Sequence, residues 1–566
     1  MGERTFRGGV HPEEMKELSC EKPLIPYTPQ GDLVFLTSQH IGKPATPVVK
    51  KGDRVLAGQL IAEASGFVSA NIASSVSGTV KAVELRPTAA GGMGQAIVIT
   101  SDGENTLAEG VGVKTDYHKL TNQEILDKVK AAGIVGMGGA GFPTQVKLTV
   151  KNLSQIEAVI VNGAECEPLL RVDQQLMAVE TKKILDALKL SMEAVGADKG
   201  VIALKDHYTA AINSFNQLLG DYEGISLHLL ENFYPAGDEQ ITVYEVTGRI
   251  VPEGGIPLKC GVIVSNVETM LNIYNAYFED KPVTDSYVTF AGEVKNHVTL
   301  KLPLGMTVGE ALELAGGVTV DGPFVVINGG PMMGKHVPLD SKITKTTKGL
   351  IVLPESHPLI QDVKLEVPKM LHVAKAACCH CSLCTEVCPR NLIGHRIAPN
   401  KTIRFASYGS LCDGSETPMI AFLCSECRLC QYACPMNLQP WKVNHELKGI
   451  MAKQGIRNTL NNAPESVHPM REYKRYPIKK LIANLGLTKY NVAAPLAELP
   501  KEVDHVSIPV GQHIGAPAVP CVNVGDTVAK GDVIAKPAEG KLGACIHASI
   551  SGTVKAIADG CISIEK

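Results

Sequence analysis

The sequence predicts a multidomain protein that combines α/β and all-β domains. Its 566 residues are enough for about three to five domains. Short alternating apolar runs, separated by Gly-containing turns, occur near both ends of the chain and predict β-strands there. Between them, strand and helix patterns alternate from about residue 121, which indicates a parallel sheet with crossover helices. Two cysteine-rich runs follow in the second half.

The β-rich ends contain an internal repeat. Residues 39–83 match residues 512–557, and both copies carry V-x-x-G-D-x-V-x-x-G-x-x-I-A followed by S-G-T-V-K-A. The pattern resembles biotinyl- and lipoyl-type barrel-sandwich domains, so we expect two small β domains that bracket the rest of the chain. Lys541 lies near the position of the modified lysine in such carriers. An exposed turn lysine is the alternative, with both copies serving as structural or docking modules.

The α/β region begins at a helix start. Thr121 and Glu124 have the spacing of a capping box. Strands are predicted at 158–162, 200–204 and 226–230, and helices at about 173–195 and 207–219. Ligands of a parallel sheet bind at the carboxyl ends of its strands. Asn162 and Glu165 follow such an end and are therefore candidate ligand contacts.

A glycine-rich loop lies just before the first of these strands. Gly136, Gly138, Gly139 and Gly141 precede Lys147. Backbone amides of such a loop can bind phosphate, and a lysine adds a positive charge. A tight turn without a ligand is the alternative. The acidic and Asn-containing segments that follow (GAECEP, YPAGDE and SNVET) favour the ligand site, because their side chains can hydrogen-bond ribityl or ribose hydroxyls.

The cysteine runs carry the most specific signal. Both read C-x2-C-x2-C-x3-C-P, which is the bacterial spacing for two [4Fe–4S] clusters, in which the fourth cysteine of each run ligates the other cluster. A zinc site is the alternative for one run, but two identical runs closed by Pro favour clusters. Cluster 1 is therefore assigned to Cys378, Cys381, Cys384 and Cys434, and cluster 2 to Cys424, Cys427, Cys430 and Cys388.

Composition excludes other classes. The net charge of −3 and the 5% of aromatic residues argue against a nucleic-acid-binding protein. Eight of the 16 cysteines are the regularly spaced cysteines of the two cluster runs, and the rest show no framework spacing, which fits a reducing compartment. The N-terminus has no apolar signal region, and no apolar run is long enough to span a bilayer. We therefore expect a cytoplasmic protein.

Four segments resemble segments that occur in the same order in a known family. GMGGAGFPT with Lys147, NGAECEP, YPAGDE and SNVET resemble the FMN and NADH segments of the complex I flavoprotein subunit. TFRGGVHPEEMKEL resembles RnfC, whereas ECEPLLRVDQQLM, INGGPMMG, TKTTKGLIVLPESHPLIQ and the cysteine runs resemble PduS. The resemblance implies an RnfC-type barrel-sandwich domain at 1–112, an FMN/NADH domain at 113–282, an SLBB β-grasp domain at 283–345, a ferredoxin-like domain at 346–455, a helical linker at 456–500 and a second barrel-sandwich domain at 501–566.

The resemblance also implies individual contacts. Ala164 stands where the complex I motif has Asp, and Glu165 is expected to replace that contact; Leu148 and Thr149 replace aromatic residues, so nicotinamide stacking rests on Phe142. The implied FMN contacts are Gly136, Gly138, Lys147, Asn162, Glu165, Tyr234, Gly237, Asp238, Asn266 and Thr269, and the implied NADH contacts are Phe142, Glu167 and Glu239.

Three further features remain outside these motifs. Cys379, an extra thiol within the first run, is interpreted as a non-ligand. The basic run 471–482 is interpreted as a solvated face, with contact to an acidic partner or a membrane surface as the alternative. The loop 329–334 is either a partner contact or a tight turn with Met filling gaps in the core.

The implied function is electron transfer from NADH through FMN and the two clusters to an acceptor. The acceptor is predicted to be a partner protein, as for RnfC-like subunits of methylenetetrahydrofolate reductase complexes. A corrinoid, as for PduS, and a membrane Rnf complex are alternatives, with peripheral association to a membrane or a microcompartment left open. An alternative of another class is a docking or carrier scaffold that acts through the lipoyl-like domains.

Overall fold

The computed structural model describes most of the chain. The described residues are 27–88, 92–112, 121–150, 155–408, 417–497, 505–511, 514–537, 542–558 and 560–565. Lys541 and the N-terminal segment TFRGGVHPEEMKEL lie outside them, so the interpretation of Lys541 is not addressed by the structure.

The two β-rich ends form one unit. Their strands belong to a 12-stranded sheet with two small flanking pairs. Equivalent strands of the two repeats lie side by side in parallel: Arg54–Glu63 with Thr527–Lys536, and Gly66–Val76 with Leu542–Ile550. The strands near the N-terminal end, which include the first copy, are Gly31–Leu36, Gly42–Lys43, Thr46–Pro47, Val49–Gly52, Arg54–Glu63, Gly66–Val76, Gly78–Pro87 and Met93–Ser101. Those near the C-terminal end, which include the second copy, are His505–Pro509, Ile514–Gly515, Val519–Pro520, Val522–Val524, Thr527–Lys536, Leu542–Ile550, Gly552–Ala558 and Cys561–Glu565.

This pairing corrects the expectation of two separate β domains at 1–112 and 501–566. Both repeats are present, but neither closes on itself. A half-unit would leave open strand edges, and each copy covers the edges of the other. The described strands near the two ends of the chain thereby belong to one barrel-sandwich unit.

The α/β domain has the predicted parallel sheet. Its order is Ile225–Leu230, Lys199–Lys205, Ala158–Gly163 and Val262–Asn266, and all neighbours are parallel. The Thr121 capping box is present. The helix expected at 173–195 is two helices that meet at Glu180. The helices are Asn122–Ala131, Thr144–Leu148, Val172–Val179, Thr181–Val195, Thr209–Leu218, Glu239–Thr247 and Val267–Phe278.

The next domain is a five-stranded sheet with one helix, Val308–Leu314. The sheet order is Thr299–Pro303, Asp285–Gly292, Gly349–Pro354, Phe324–Asn328 and Lys335–Val337. The boundary expected at residue 345 is therefore too early. Gly349–Pro354 is the central strand, and its buried apolar side chains complete the core of this domain.

The cysteine-rich segment is built from short helices. The segment 456–500 is expected to be a linker, but its described part packs on the α/β domain, where Tyr476–Pro477 pairs with Phe233–Tyr234. In the basic run, Arg471 is buried and ion-paired with Glu245, so the expected solvated face is wrong for this residue. The helices are Pro358–Lys364, Val367–Ala377, Leu383–Glu386, Pro389–Leu392, Pro399–Tyr408, Leu429–Tyr432, Pro440–Lys453, Arg471–Lys474 and Ile478–Asn484. Within the described ranges, no helix combines the length and apolarity needed to cross a bilayer.

Candidate electron-transfer site

Two asparagines mark the carboxyl edge of the parallel sheet. Asn162 and Asn266 occupy matching register positions on neighbouring strands. Asn266 caps the helix Val267–Phe278, since its side chain accepts the N–H of Glu268 at 2.9 Å, and it donates to Asp173 at 2.8 Å. Both predicted contacts therefore lie at the edge where parallel sheets bind ligands.

The glycine-rich loop folds next to this edge. The N–H of Gly136 donates to the carbonyl of Phe142 at 2.8 Å, and the N–H of Met137 donates to Thr269 at 3.1 Å. Gly138 has a φ of +67°, which favours glycine. Gly139 is exposed, and a Cβ there would meet no atom within 4 Å. The outer face of the loop therefore has open space for a bound group, which fits the phosphate-binding role expected for it.

The predicted flavin lysine and a predicted NADH acid are paired. Lys147 forms an ion pair with Glu239 at 2.7 Å and donates to the carbonyl of Val264 at 2.7 Å. About a third of the Lys147 side chain and two fifths of that of Glu239 stay exposed (32% and 41%), so both remain accessible to a ligand.

The YPAGDE segment joins the sheet to the cysteine runs. Asn162 donates to the carbonyl of Gly237 at 2.9 Å. Asp238 caps the helix Glu239–Thr247 and forms an ion pair with Arg390 at 2.8 Å. The hydroxyl of buried Tyr234 donates to the carbonyl of Cys427 at 3.1 Å. The segment thus contacts both the carboxyl edge of the sheet, where FMN is predicted to bind, and the cysteine loops.

Two predicted acids use their carboxylates within the chain. Glu165 accepts the N–H of Asp173 at 3.0 Å, at the start of the helix Val172–Val179. Glu167 accepts the N–H groups of Met332 and Met333 at 2.9 and 3.0 Å. Burial raises the pKa of Glu167 to about 7. Their contacts with FMN and NADH remain predictions, as does that of partly buried Phe142.

Sequence reasoning missed one buried cation. Lys348 lies beneath the glycine-rich loop and forms ion pairs with Asp173 at 2.6 Å and Glu268 at 2.7 Å. Its position in TKTTKGLIV carries no ligand-binding pattern. No local pattern marked Lys348 as part of the site, because the glycine-rich loop above it belongs to a different domain.

The cysteines form the two predicted groups. Burial raises the pKa of Cys384 to about 12, and nearby Cys434, Cys378 and Cys381 raise it further. Burial likewise raises the pKa of Cys430, as do Cys424, Cys427, Cys388 and, most weakly, Cys384. The fourth cysteine of each run thus lies near the first three of the other run, and the assignment of these cysteines as ligands of the two clusters remains a prediction.

The four thiols assigned to cluster 2 face the same space. A small cavity is lined by Cys388, Cys424, Cys427 and Cys430. Among the described residues, no three His, Cys, Asp or Glu side chains converge tightly enough for one metal ion. Buried thiols with raised pKa values ionise only beside compensating positive charge, which the irons of a cluster supply. Cys379 is exposed, and its assignment as a non-ligand remains a prediction.

Four domain families match the chain in this order. The RnfC barrel sandwich hybrid domain matches residues 4–104 and 488–565, the Nuo51 FMN-binding domain 129–275, the SLBB domain 287–335 and the 4Fe-4S dicluster domain 377–439. Together with the geometry above, these matches define an oxidoreductase that carries FMN and two [4Fe–4S] clusters.

Named relatives place it within a family. Cobalamin reductase PduS of Salmonella typhimurium is 45% identical over 79% of this chain and 97% of its own. The RnfC-type member of the Na⁺-translocating ferredoxin:NAD⁺ oxidoreductase complex of Acetobacterium woodii is 37% identical over 69% of this chain and 85% of its own. The chain belongs to this RnfC/PduS family. A structure of an NAD⁺-reducing [NiFe]-hydrogenase aligns with 65% of this chain and 66% of its own, at 19% identity and a TM-score of 0.38.

Proposed function

We propose that this protein oxidises NADH and passes the electrons, through FMN and both clusters, to an acceptor outside the chain. Bound FMN supplies the step from hydride acceptance to single-electron release. The chain's own residues bind and orient the two nucleotides. Lys147 and the backbone amides of Gly138 and Gly139 hold the flavin phosphate, Glu239 orients NADH, and Phe142 provides the stacking surface.

One observation carries the proposal: the YPAGDE segment, which contains predicted flavin contacts, touches the cysteine loops directly. Tyr234 donates to the carbonyl of Cys427, and Asp238 pairs with Arg390, two residues after Cys388. Both cysteines are assigned to cluster 2. Cluster 2 is therefore the first electron acceptor after the flavin, and its ligands Cys388 and Cys430 are buried (7% exposed each).

Cluster 1 is the exit. Its ligand Cys381 is exposed, whereas no ligand of cluster 2 is fully exposed among the described residues. Exposed apolar side chains, Leu383 and Met436, lie next to cluster 1 ligands in the chain. An acceptor that docks here reaches cluster 1 without opening the flavin domain.

The relatives' names point to two classes of acceptor. PduS is named a cobalamin reductase, and identity to it extends over nearly its whole length, which supports a corrinoid. The Acetobacterium woodii relative belongs to a complex that is named for ferredoxin and NAD⁺, which supports a partner protein. We take the corrinoid as the first acceptor to test and the partner protein as the second.

Anaerobic reduction tests the entry of electrons. The purified protein should contain one FMN and about eight irons per chain, and NADH should bleach both flavin and cluster absorbance. Flavin and clusters that stay oxidised under excess NADH, but are reduced by dithionite, would overturn the proposal.

Acceptor assays follow on the NADH-reduced protein. Reoxidation by hydroxocobalamin in solution supports the corrinoid, and reoxidation only by an added electron-carrier protein supports the partner protein. In either case, Cys381→Ser should slow reoxidation more than it slows bleaching of the flavin, because Cys381 belongs to the exit cluster. Equal loss of both rates would contradict the order of the clusters.

A further inference from the structure

A lysine next to the SLBB-type sheet lies beside the predicted flavin contacts of the α/β domain. Lys348 immediately precedes the central strand Gly349–Pro354, and its side chain is only 7% exposed. It lies between two buried carboxylates, Asp173 at 2.6 Å and Glu268 at 2.7 Å. Burial lowers the pKa of Lys348, but Asp173 and Glu268 raise it above its ordinary value, so the ammonium stays charged.

The same lysine supports the glycine-rich loop. A Cβ placed on Gly138 would lie 2.5 Å from the Cγ and 2.7 Å from the Cε of Lys348. The aliphatic part of the side chain is therefore in contact with the loop backbone. Any larger residue at position 138 would push the loop off the lysine, which gives this glycine a steric role as well as a conformational one.

The ion pairs connect the lysine to a predicted flavin contact. Asp173 binds Lys348 with one oxygen and accepts the side-chain amide of Asn266 with the other, at 2.8 Å. Glu268 accepts the N–H of Tyr287, on a strand of the SLBB-type sheet, at 3.1 Å. Removing the lysine would leave Asp173 and Glu268 buried without this cation, and buried carboxylates without a partner are costly.

We propose that Lys348 is a positioning residue of the flavin site, supplied by the SLBB domain. It fixes Asn266 through Asp173, supports the loop at Gly138, and offsets the negative charge of Asp173 and Glu268 next to the residues that would hold the flavin. This inference rests on the proposed function, because it requires FMN at the glycine-rich loop.

The charge argument gives two expected effects. Without the lysine, the region beneath the loop becomes more negative. It then repels the flavin phosphate, and it disfavours addition of electrons to the flavin. Lys348→Met should therefore weaken FMN binding about tenfold, as is usual when a residue that orients direct ligands is removed. It should also lower the midpoint potential of the flavin.

Lys345 provides a matched control. It is a fully buried lysine three residues earlier, but its side-chain nitrogen donates to the backbone carbonyls of Gly133 and Asn71, and burial lowers its pKa well below the ordinary value. Lys345→Met should lower thermal stability and leave the flavin potential unchanged. Lys348→Arg, which keeps the charge, should restore the potential even if the changed shape leaves FMN binding weakened.

The measurements are FMN dissociation constants and flavin midpoint potentials from anaerobic redox titration. A folded Lys348→Met variant with wild-type affinity and potential would overturn the inference. If that variant does not fold, Glu268→Gln is measured instead: it removes one carboxylate and keeps the lysine, so it should raise the flavin midpoint potential, and a folded Glu268→Gln protein with the wild-type potential would overturn the inference. A wild-type protein that binds no FMN would instead overturn the proposed function.

Discussion

At the residue scale, the predicted ligand contacts are positioned by one another before any ligand binds. Lys147 pairs with Glu239, Asn162 holds Gly237, and Asp238 pairs with Arg390. The motifs predicted these residues because the groups that bind phosphate and ribose lie within short segments of the chain. Their partners could not be predicted, because Arg390 is 152 positions away from Asp238 in the chain and nothing in a linear pattern indicates such a contact.

Glu167 illustrates how this positioning makes stability depend on pH. Burial raises its pKa from the ordinary 4.5 to about 7, against the opposing effects of the Met332 N–H and Arg428. Between these values the folded protein keeps a proton that the unfolded chain has released. Stability should therefore fall as pH rises through this window, by at most about 1.4 kcal/mol per pH unit.

The substitution Glu167→Gln tests this dependence. Gln cannot titrate, so the fall in the thermal midpoint between pH 4.5 and 7 should become shallower; the readout is circular dichroism across this range. Glu355→Gln is the control, because Lys364 lowers the pKa of partly exposed Glu355 below the window. An unchanged slope in Glu167→Gln would contradict the assignment.

At the element scale, the two cysteine runs are copies of one loop. Each run has two non-glycine residues with positive φ at equivalent places: His380 and Ser382 in the first, Glu426 and Arg428 in the second. A short helix follows in both, Leu383–Glu386 and Leu429–Tyr432. Spacing alone predicted the exchange of the fourth cysteine, since a chain that turns into a helix carries that residue away from its own loop.

Paired cysteine substitutions test this exchange. Because Cys378 and Cys434 are assigned to one cluster, the Cys378→Ser/Cys434→Ser variant should keep about four of about eight irons. Cys424→Ser/Cys434→Ser damages both clusters and should keep almost none. Iron analysis of anaerobically purified protein distinguishes the two. The reverse result would mean that each run binds its own cluster.

At the scale of the whole molecule, the repeats near the two ends of the chain pair with each other and form one unit. The sequence revealed the duplication but predicted two separate domains. Strand pairing across more than 450 residues leaves no local pattern, and the open edges of each copy become visible only when the strands are placed in space. The α/β domain was easier to predict because its strands and crossover helices follow one another directly.

The two repeats approach each other closely at a pair of equivalent glycines. Gly58 has a φ of +87°, and a Cβ there would lie 1.6 Å from the Cα of Gly531. Gly110 has a similar φ of +82°, but a Cβ there would meet nothing within 4 Å. Alanine would adopt a strained backbone conformation at either position, but only at position 58 would its Cβ overlap with another part of the chain.

Alanine at each position therefore separates conformational strain from contact between the repeats. Gly110→Ala should cost only the strain of the left-handed region, about 1–2 kcal/mol. Gly58→Ala should cost that strain and the overlap with Gly531, about 1–3 kcal/mol more. Because the two repeats pair with each other, Gly58→Ala should also make the strands of both repeats more sensitive to limited proteolysis, while Gly110→Ala should not. Equal thermal midpoints and equal proteolysis in the two variants would mean that the repeats do not pack together as one unit.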